Sequence, residues 1–401
     1  MSVSNPGKKA IMQALRRRGV LLAIGLGSLV AGCRDDALTP ASPSAEPDLA
    51  EAVVAAGPAF TQVSSGDGHT CGIAASGRAY CWGLNTGGQL GDGTITNRSR
   101  PTPVIGQLEF RQISAGGVMS CGVTMDSQVY CWGTDAMGGR RDPQPVAPEL
   151  RFLAVAAGSH GACALTDPGR RAYCWGDNAR GQLGDGTRTD RLLPVAVSGG
   201  RAFREITRAA FHTCGVTTSF RAYCWGSDND GQLGDGSERR DRLTPSAVAG
   251  DRAFAQIDAG STTTCAVTTG DRAFCWGTGA IGDGSRLPRF TPRAVAGGLS
   301  FERVTSGNGH ACGESTTNQA YCWGQNGSGQ LGDGSTVERL RPVAVKGGHF
   351  FAQLTAGSVH TCGTTPQAVT YCWGDNRWGQ LGLGSVDFDA HSWPALVVAA
   401  E

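Results

Sequence analysis

The stretch Ala79-Tyr80-Cys81-Trp82-Gly83 decides the fold, because its Cys-Trp-Gly core returns six more times along the 401-residue chain. The later copies begin at Cys131, Cys174, Cys224, Cys275, Cys322 and Cys372. From Cys81 onward these cysteines are spaced by 50, 43, 50, 51, 47 and 50 residues. A period near 50 residues is typical of proteins that stack one structural unit many times. The sequence therefore predicts one repetitive domain built from seven units.

The pattern inside a unit predicts short strands and tight turns. Each unit opens with a phenylalanine and an aliphatic residue three positions later, as in Phe60 and Val63. A cysteine follows, then a turn such as Ser76-Gly77, then Cys-Trp-Gly, which is the spacing of a β-hairpin. A segment reading Gly-Gln-Leu-Gly-Asp-Gly comes next and leads to a strand such as Pro194–Val197. With 61 Gly and 18 Pro, the composition also favours an all-β fold.

The motif Asn85-x-x-Gly88-Gln89-Leu90-Gly91-Asp92-Gly93, with the Arg-x-x-Pro that follows it, resembles the RCC1-type repeat (regulator of chromosome condensation). The resemblance covers residues 52–398 and implies a seven-bladed β-propeller with four strands per blade. The second unit departs from the motif at Gly138–Arg141, and the fifth is shortened to Gly279–Gly284. The propeller is expected over 56–398, with blades at about 60–109, 110–151, 152–202, 203–253, 254–300, 301–350 and 351–398.

Two segments match the outer strand that would complete the last blade. Ala52-Val53-Val54 is one, and Pro394–Val397 is the other. The second is favoured, because Pro394 holds the position that the other repeats give to proline. The sequence therefore predicts that the C-terminal strand closes the ring.

Residues 1–32 are predicted to be an export signal. Lys8–Arg18 is basic, and the apolar run Gly19–Val30 is too short to span a bilayer. Leu29–Cys33 resembles the lipobox of bacterial lipoproteins, which implies cleavage before Cys33 and a lipid on its thiol. The alternative is an ordinary secretory signal with an unrelated cysteine. Residues 33–55, rich in Pro, Ser and Ala, are predicted to be a disordered tether to the membrane.

The fourteen cysteines after Cys33 form one pair per unit, separated by 10 residues in six units and by 11 in the third. Neighbouring strands of a hairpin bring such pairs to disulfide distance, and an exported protein meets an oxidising compartment. The alternative, a metal site, is disfavoured because the close Cys-x2-Cys spacing of zinc sites is missing. The predicted bridges join Cys71 to Cys81, Cys121 to Cys131, Cys163 to Cys174, Cys214 to Cys224, Cys265 to Cys275, Cys312 to Cys322 and Cys362 to Cys372.

Two further sets of side chains recur. An Asp and an Arg occur together in five units, at 92/98, 185/191, 235/242, 283/289 and 333/339, and the seventh unit has Leu383 and His391 there. Because the Asp and the Arg are replaced together there, we infer that they contact each other where both are present. The functional alternative is an anion-binding ring of arginines. His69, His212, His310 and His360 precede the first cysteine of four units by two residues. A repeated structural hydrogen bond is favoured over a metal-binding ring.

The seventh unit breaks the repeat and adds aromatic residues. Trp378, Phe388, His391 and Trp393 form a candidate binding patch, because exposed aromatic side chains commonly anchor interfaces. Packing around the closing strand is the alternative. By contrast, the seven Cys-Trp-Gly tryptophans are expected to be buried between blades.

Catalytic motifs are missing from the sequence: it has no Gly-x-Ser-x-Gly, no His-Glu-x-x-His and no Walker loop. No enzymatic activity, metal or cofactor is therefore expected. The net charge is +1, and without the five basic residues of the first 32 it becomes −4, which gives no electrostatic basis for binding nucleic acid.

The predicted function is a monomeric, lipid-anchored binding module that engages a protein or a cell-envelope polymer through its loops. It is expected to be exported, as an outer-membrane, periplasmic or cell-surface lipoprotein held to the membrane by its lipid alone. The resemblance offers two alternatives, an inhibitor of a secreted hydrolase such as a β-lactamase and a guanine-nucleotide exchange factor. Export disfavours the second, because nucleotide-loaded GTPases are cytosolic.

Overall fold

The computed structural model describes residues 58–135, 138–237 and 239–400, and these form seven four-stranded antiparallel sheets. The predicted signal peptide 1–32, Cys33, the linker 33–55 and the segment 52–54 lie outside the described residues. The described residues contain no helix, and so none long and apolar enough to cross a membrane.

The strands of the first four sheets are β1 Phe60–Ser65, β2 His69–Ala74, β3 Ala79–Gly83, β4 Arg98–Pro103; β5 Phe110–Ala115, β6 Met119–Thr124, β7 Val129–Asp135, β8 Gly138–Val146; β9 Phe152–Ala157, β10 Gly161–Thr166, β11 Ala172–Gly176, β12 Arg191–Ala196; β13 Phe203–Arg208, β14 His212–Thr217, β15 Ala222–Gly226 and β16 Arg242–Ala247. Those of the last three are β17 Phe254–Ala259, β18 Thr263–Thr268, β19 Ala273–Gly277, β20 Arg289–Ala294; β21 Phe301–Ser306, β22 His310–Ser315, β23 Ala320–Gly324, β24 Arg339–Ala344; β25 Gln353–Ala356, β26 His360–Thr364, β27 Thr370–Gly374 and β28 His391–Leu396.

Each sheet is one blade of a seven-bladed β-propeller, as the sequence predicts. Its four strands pair in chain order, so each blade comes from one contiguous unit. The seventh blade is completed by β28, whose Leu396 and Ala395 pair with Tyr371 and Cys372 of β27. The C-terminal strand therefore closes this blade, as the position of Pro394 indicates.

The hydrophobic core lies between neighbouring blades. Between the seventh and first blades, for example, Phe60 and Trp82 pack against Cys362 and Leu381. The seven repeat tryptophans are at most 2% exposed, which confirms their predicted burial. In five blades the indole N–H donates to the main-chain oxygen of a glutamine in the preceding blade, as Trp82 does to Gln380 at 3.0 Å. Each tryptophan thus contributes both apolar contact and a directed bond to an interface between blades.

The glycine of Cys-Trp-Gly is required by the backbone. Gly83 has a φ of +104°, a conformation that residues with a Cβ rarely adopt. A Cβ there would also stand 2.6 Å from the carbonyl oxygen of Gly68. The chain can turn out of β3 at this point only because residue 83 lacks a side chain.

All seven predicted disulfides are present, each between the second and third strands of a blade. Cys71 and Cys81 lie directly opposite each other in the register of β2 and β3, with their Cα atoms 4.1 Å apart. Seven bridges in one domain are typical of a protein from an oxidising, extracellular environment. The other six bridges repeat this arrangement and join Cys121 to Cys131, Cys163 to Cys174, Cys214 to Cys224, Cys265 to Cys275, Cys312 to Cys322 and Cys362 to Cys372.

Candidate binding face

Strand direction puts the long connections of the blades on one side of the ring. Because the strands alternate in direction, the connection between the third and fourth strands emerges on the same side as the turn between the first and second. We call this side the loop face. Its long loops are 84–97, 177–190, 227–241 (without 238, which is not described), 278–288, 325–338 and 375–390. In the second blade β7 ends at Asp135 and β8 already begins at Gly138, which accounts for its departure from the repeat.

A buried asparagine organises the start of the long loops. In the first blade Asn85 donates through Nδ2 to Asp92 at 3.0 Å and to two main-chain oxygens of the same loop. Its Oδ1 accepts from the main-chain N–H of Leu90 at 2.9 Å. The third and sixth blades repeat these bonds around Asn178 and Asn326. A side chain that bonds its own loop in this way fixes the loop's shape without help from a ligand.

The recurring Asp and Arg contact each other in all five units, as predicted. Arg191 donates to Asp185 with an N–O distance of 2.9 Å, and the other pairs lie at 2.6 to 2.9 Å. Burial alone would raise the pKa of Asp185, but hydrogen bonds from Thr187 and Arg191 hold that pKa below its ordinary value. The pairs therefore fasten each long loop to the start of the outer strand, and their guanidinium groups are already engaged.

The seventh blade keeps the fastening with different residues, so the expectation that it is lost there is wrong. His391 Nε2 lies 2.8 Å from Asp387 Oδ1, and Asp387 also accepts a hydrogen bond from Asn376. Asp387 comes from the expanded loop and replaces the carboxylate lost at Leu383. His391 is therefore placed in a structural pair and not as an exposed member of the aromatic patch.

Exposed apolar side chains are concentrated at the outer margin of the loop face. Of the thirteen exposed large apolar side chains among the described residues, eight lie in the long loops or in the first three residues of the outer strands. They are Ile95, Leu192, Leu193, Leu287, Val337, Val386, Phe388 and Trp393. We call this set the apolar rim. The seventh blade contributes three of its members, including Phe388, which is 87% exposed.

The two tryptophans outside the repeat differ in position. Trp393 lies over the turn of the sixth blade, where a Cβ on Gly334 would be 3.2 Å from its ring, yet its side chain is 54% exposed. Trp378 is half-buried against Gly68 of the first blade, with the Arg377 guanidinium 5.4 Å from its ring. The structure thus leaves Phe388 and Trp393 available to a partner and uses Trp378 mainly in packing.

The four recurring histidines form hydrogen bonds between blades, as predicted. His69 Nε2 lies 2.8 Å from the hydroxyl of Ser120 in the next blade, and that hydroxyl donates to the carbonyl of Gln89. The equivalent contacts of His212, His310 and His360 are 2.9 to 3.0 Å long. Burial lowers the pKa of His69 to about 3, so the ring is neutral at physiological pH. Among the described residues, no three His, Cys, Asp or Glu side chains are grouped as metal ligands.

Sequence reasoning missed a second connection between blades. Gln62, two residues after the first phenylalanine, accepts from Ile113 N–H and donates to Ile113 C=O in the next blade. Gln112, Gln256 and Gln353 make the same pair of bonds, and the pair from Gln353 to Val63 joins the last blade to the first. We call this pair of bonds the glutamine clamp. The recurrence of Phe-x-Gln in four units is the signal that would have revealed it.

The fold and this face define the class of protein, a disulfide-stapled seven-bladed β-propeller with fixed loops and an exposed apolar rim. Comparison with known proteins identifies the family. Two profiles, both described as "Regulator of chromosome condensation (RCC1) repeat", match residues 60–89, 152–182 and 301–330, and residues 76–123, 171–216, 221–267 and 318–363. These matches cover more than half of the chain, and the protein belongs to the RCC1-repeat family.

Individual relatives agree with this assignment. The chain is 29% identical over 233 residues to the ultraviolet-B receptor UVR8 of Arabidopsis thaliana, a match that spans 56% of this chain and 43% of the receptor. Among solved structures, Prp20p of Saccharomyces cerevisiae is 18% identical with a TM-score of 0.72, covering 81% of this chain and 87% of Prp20p. The CRINKLY WD40 ectodomain of the Arabidopsis thaliana receptor kinase ACR4 is 22% identical with a TM-score of 0.53, covering 84% of this chain and 98% of that one. These two structures are similar in fold.

Proposed function

We propose that this protein is an exported, lipid-anchored binding module that engages a partner protein through the apolar rim of its loop face. The observation that carries the proposal is the concentration of exposed apolar side chains on that rim, with Phe388 and Trp393 as the largest members. Exposed aromatic residues of this kind are the usual anchors of protein interfaces. A cell-envelope polymer is the second class of partner that the experiment below tests.

The loops around Phe388 and Trp393 are held in one conformation by contacts within the protein, before any partner binds. Asp387 and His391 fasten the expanded loop on either side of Phe388, and Trp393 is held against the turn of the neighbouring blade. A preformed surface of this kind loses little conformational entropy on binding, so more of the contact energy appears as affinity. The lipid on Cys33 and the linker 33–55 would keep the propeller near the membrane while leaving this face free.

The test compares a rim variant with a matched control on the opposite face. Phe388→Ala with Trp393→Ala should reduce capture of the partner from solubilised envelopes at least tenfold, as expected when interface anchors are removed. The control is Met125→Ala with Phe350→Ala, because these side chains are 58% and 56% exposed and lie in connections on the other side of the ring.

Folding is checked by circular dichroism and thermal melting of both double variants. The proposal holds if only the rim variant loses the partner while both melt like the unmodified protein. It fails if the rim variant captures the partner normally, or if the control loses binding equally. Protease treatment of the envelope extract before capture separates a protein partner from a polymer.

A further inference from the structure

The seven first strands end around an axial channel with a wall of small residues. The cavity measures about 160 Å³, and the wall residue that follows each first strand is glycine in six blades and alanine in the fourth. Among the described residues that line the channel, Arg208 and Asp67 are the two that carry charge. Asp67 is exposed at the mouth on the loop face, whereas Arg208 lies inside and is 5% exposed.

Arg208 is an exception within the repeat. It is the last residue of β13, and the other six blades have only serine or alanine at this position. Its side chain runs toward the third blade, where Gly161 replaces the histidine found in four other units. A Cβ at Gly161 would stand 2.9 Å from Arg208 Nη2. The guanidinium therefore occupies space that the missing imidazole leaves open.

The hydrogen bonds of this cation are incomplete. Nη2 donates to the main-chain oxygen of Asp177 at 3.1 Å, and Nη1 lies 3.8 Å from Cys163 Sγ, a weak acceptor. Nε has no partner within the described residues, and no described carboxylate is within ion-pair distance of the guanidinium. Burial lowers the pKa of Arg208 to about 10, so the group is still charged at neutral pH. The charge of the Asp177 carboxylate acts against this lowering of the pKa, but the carboxylate lies beyond ion-pair distance, so the buried cation has no directly bonded anion. The unpaired Nε lies beside Gly158 in the channel wall.

Two other unpaired groups share this channel. The hydroxyls of Ser65 and Ser306 are buried, line the channel and have no hydrogen-bond partner within the described residues. A serine hydroxyl can donate to an anion, as can the free N–H of Arg208. We propose that the axial channel binds one small oxyanion of the phosphate or carboxylate type, with Arg208 as its cationic anchor and these hydroxyls as available donors.

This site is separate from the apolar rim, so neither proposal depends on the other. A ligand that binds only the folded state raises the melting temperature, and the rise follows a saturation curve with ligand concentration. The disulfide-intact protein is therefore melted with increasing inorganic phosphate, and separately with acetate, while sodium chloride keeps the ionic strength constant. The two anions distinguish the phosphate from the carboxylate class.

The decisive variant is Arg208→Met, which keeps a side chain of similar length and removes the charge. The matched control is Arg221→Met, because Arg221 is exposed and pairs with Asp251 on the opposite side of the ring. We expect a saturable stabilisation by phosphate or acetate in the unmodified protein and in Arg221→Met, and its loss in Arg208→Met. A ³¹P NMR titration should show line broadening in the same two proteins.

Two results would overturn the proposal. One is that neither anion stabilises the unmodified protein beyond sodium chloride. The other is that Arg208→Met responds to the anions as the unmodified protein does, which would make Arg208 a filler of the space at Gly161. If Arg208→Met does not fold, Arg208→Gln, which is also neutral but can form hydrogen bonds, replaces it, and an unchanged midpoint of the anion titration in that variant counts against Arg208 as the anchor.

Discussion

Glu205 offers the sharpest test of how the blades are joined. It occupies the position of the clamping glutamines, two residues after Phe203, and its Oε2 accepts a hydrogen bond of 3.1 Å from Ile257 N–H in the next blade. Burial raises the pKa of Glu205 to about 7, although the bond from Ile257 and the charge of Arg303 act in the opposite direction. A carboxylate here can accept from the neighbouring strand but, once ionised, cannot donate to it as glutamine does.

Glu205→Gln should stabilise the protein at alkaline pH and change little at acidic pH. The folded state holds the proton of Glu205 more tightly than the unfolded state does, so stability falls as the pH rises from about 4.5 to about 7. At about 1.4 kcal/mol per pKa unit, the ionised form costs up to roughly 3 kcal/mol. Glutamine removes this cost and can donate to the carbonyl of Ile257. We therefore expect the advantage of Glu205→Gln to grow from near zero at pH 4 to roughly 1–3 kcal/mol at pH 8.

The assay is chemical denaturation of both proteins across this pH range, with disulfides intact. Glu314 is buried at the interface between the sixth and seventh blades, and its pKa is also raised to about 7. Because Glu314 is present in both proteins, the difference between their free energies of unfolding isolates the effect of Glu205. Gln256→Glu is the matched reverse change, because Gln256 makes both clamp bonds to Val304. It should introduce a new loss of stability as the pH rises above about 4.5, the ordinary pKa of a glutamate. A stability difference for Glu205→Gln that is the same at pH 4 and pH 8 would refute the argument.

Two further predictions concern the loops and the anchor. Asp185→Ala and Arg191→Ala should each destabilise the protein, and the double variant should cost less than their sum by about 1 kcal/mol, since Arg191 is partly exposed. The free energies of unfolding are measured by urea denaturation. As a control, Asp235→Ala and Arg191→Ala, whose residues belong to different pairs, should have additive effects on stability. Strict additivity for Asp185→Ala with Arg191→Ala would contradict a direct contact. Cys33→Ser should move the protein from the membrane to the soluble fraction on cell fractionation, because a lipid on this cysteine is the one attachment that we predict. A variant that still sediments with membranes in high salt would show that the lipobox assignment is wrong.

Repetition made most of the scaffold predictable from sequence. A contact such as Asp185–Arg191 occurs in five units. Where both residues are replaced together in another unit, the simultaneous change marks them as partners. The same logic identified the disulfides and the histidine contacts. Gln62 was missed because its bonds run to the main chain of the next blade, and a main-chain partner leaves no matching residue in the sequence.

The seventh blade shows where this reasoning fails. Leu383 and His391 replace the usual Asp and Arg, which in a repeat indicates a lost contact. The expanded loop supplies Asp387, four residues before His391, and restores a charged pair at 2.8 Å. A substitute from an insertion has no counterpart in the other units, so comparing units cannot find it. Only the folded loop brings the two side chains together.

The interface between the third and fourth blades shows why Arg208 belongs to the architecture as well as to the channel. Three side chains that bond the next blade in other units are missing from the third blade. Ala154 stands where the clamping glutamine would be, and Gly161 stands where four units have histidine. Ala156 takes the position of Ser64, whose hydroxyl accepts a hydrogen bond from Ala115 N–H in the second blade. The stability of a repeat protein is close to a sum over its units and their interfaces, so a ring with one weaker interface opens there first.

Apolar packing remains at that interface, since Phe203 and Trp225 of the fourth blade are buried against the third, and the Trp225 indole donates to Gln182 at 3.1 Å. Arg208 adds the bond to Asp177 that crosses the same interface. An anion held by Arg208 would fix the guanidinium in this position and so strengthen an interface that lacks three of the recurring side-chain bonds. Occupancy of the channel and closure of the ring would then be thermodynamically linked, because a ligand that binds only the closed ring stabilises it.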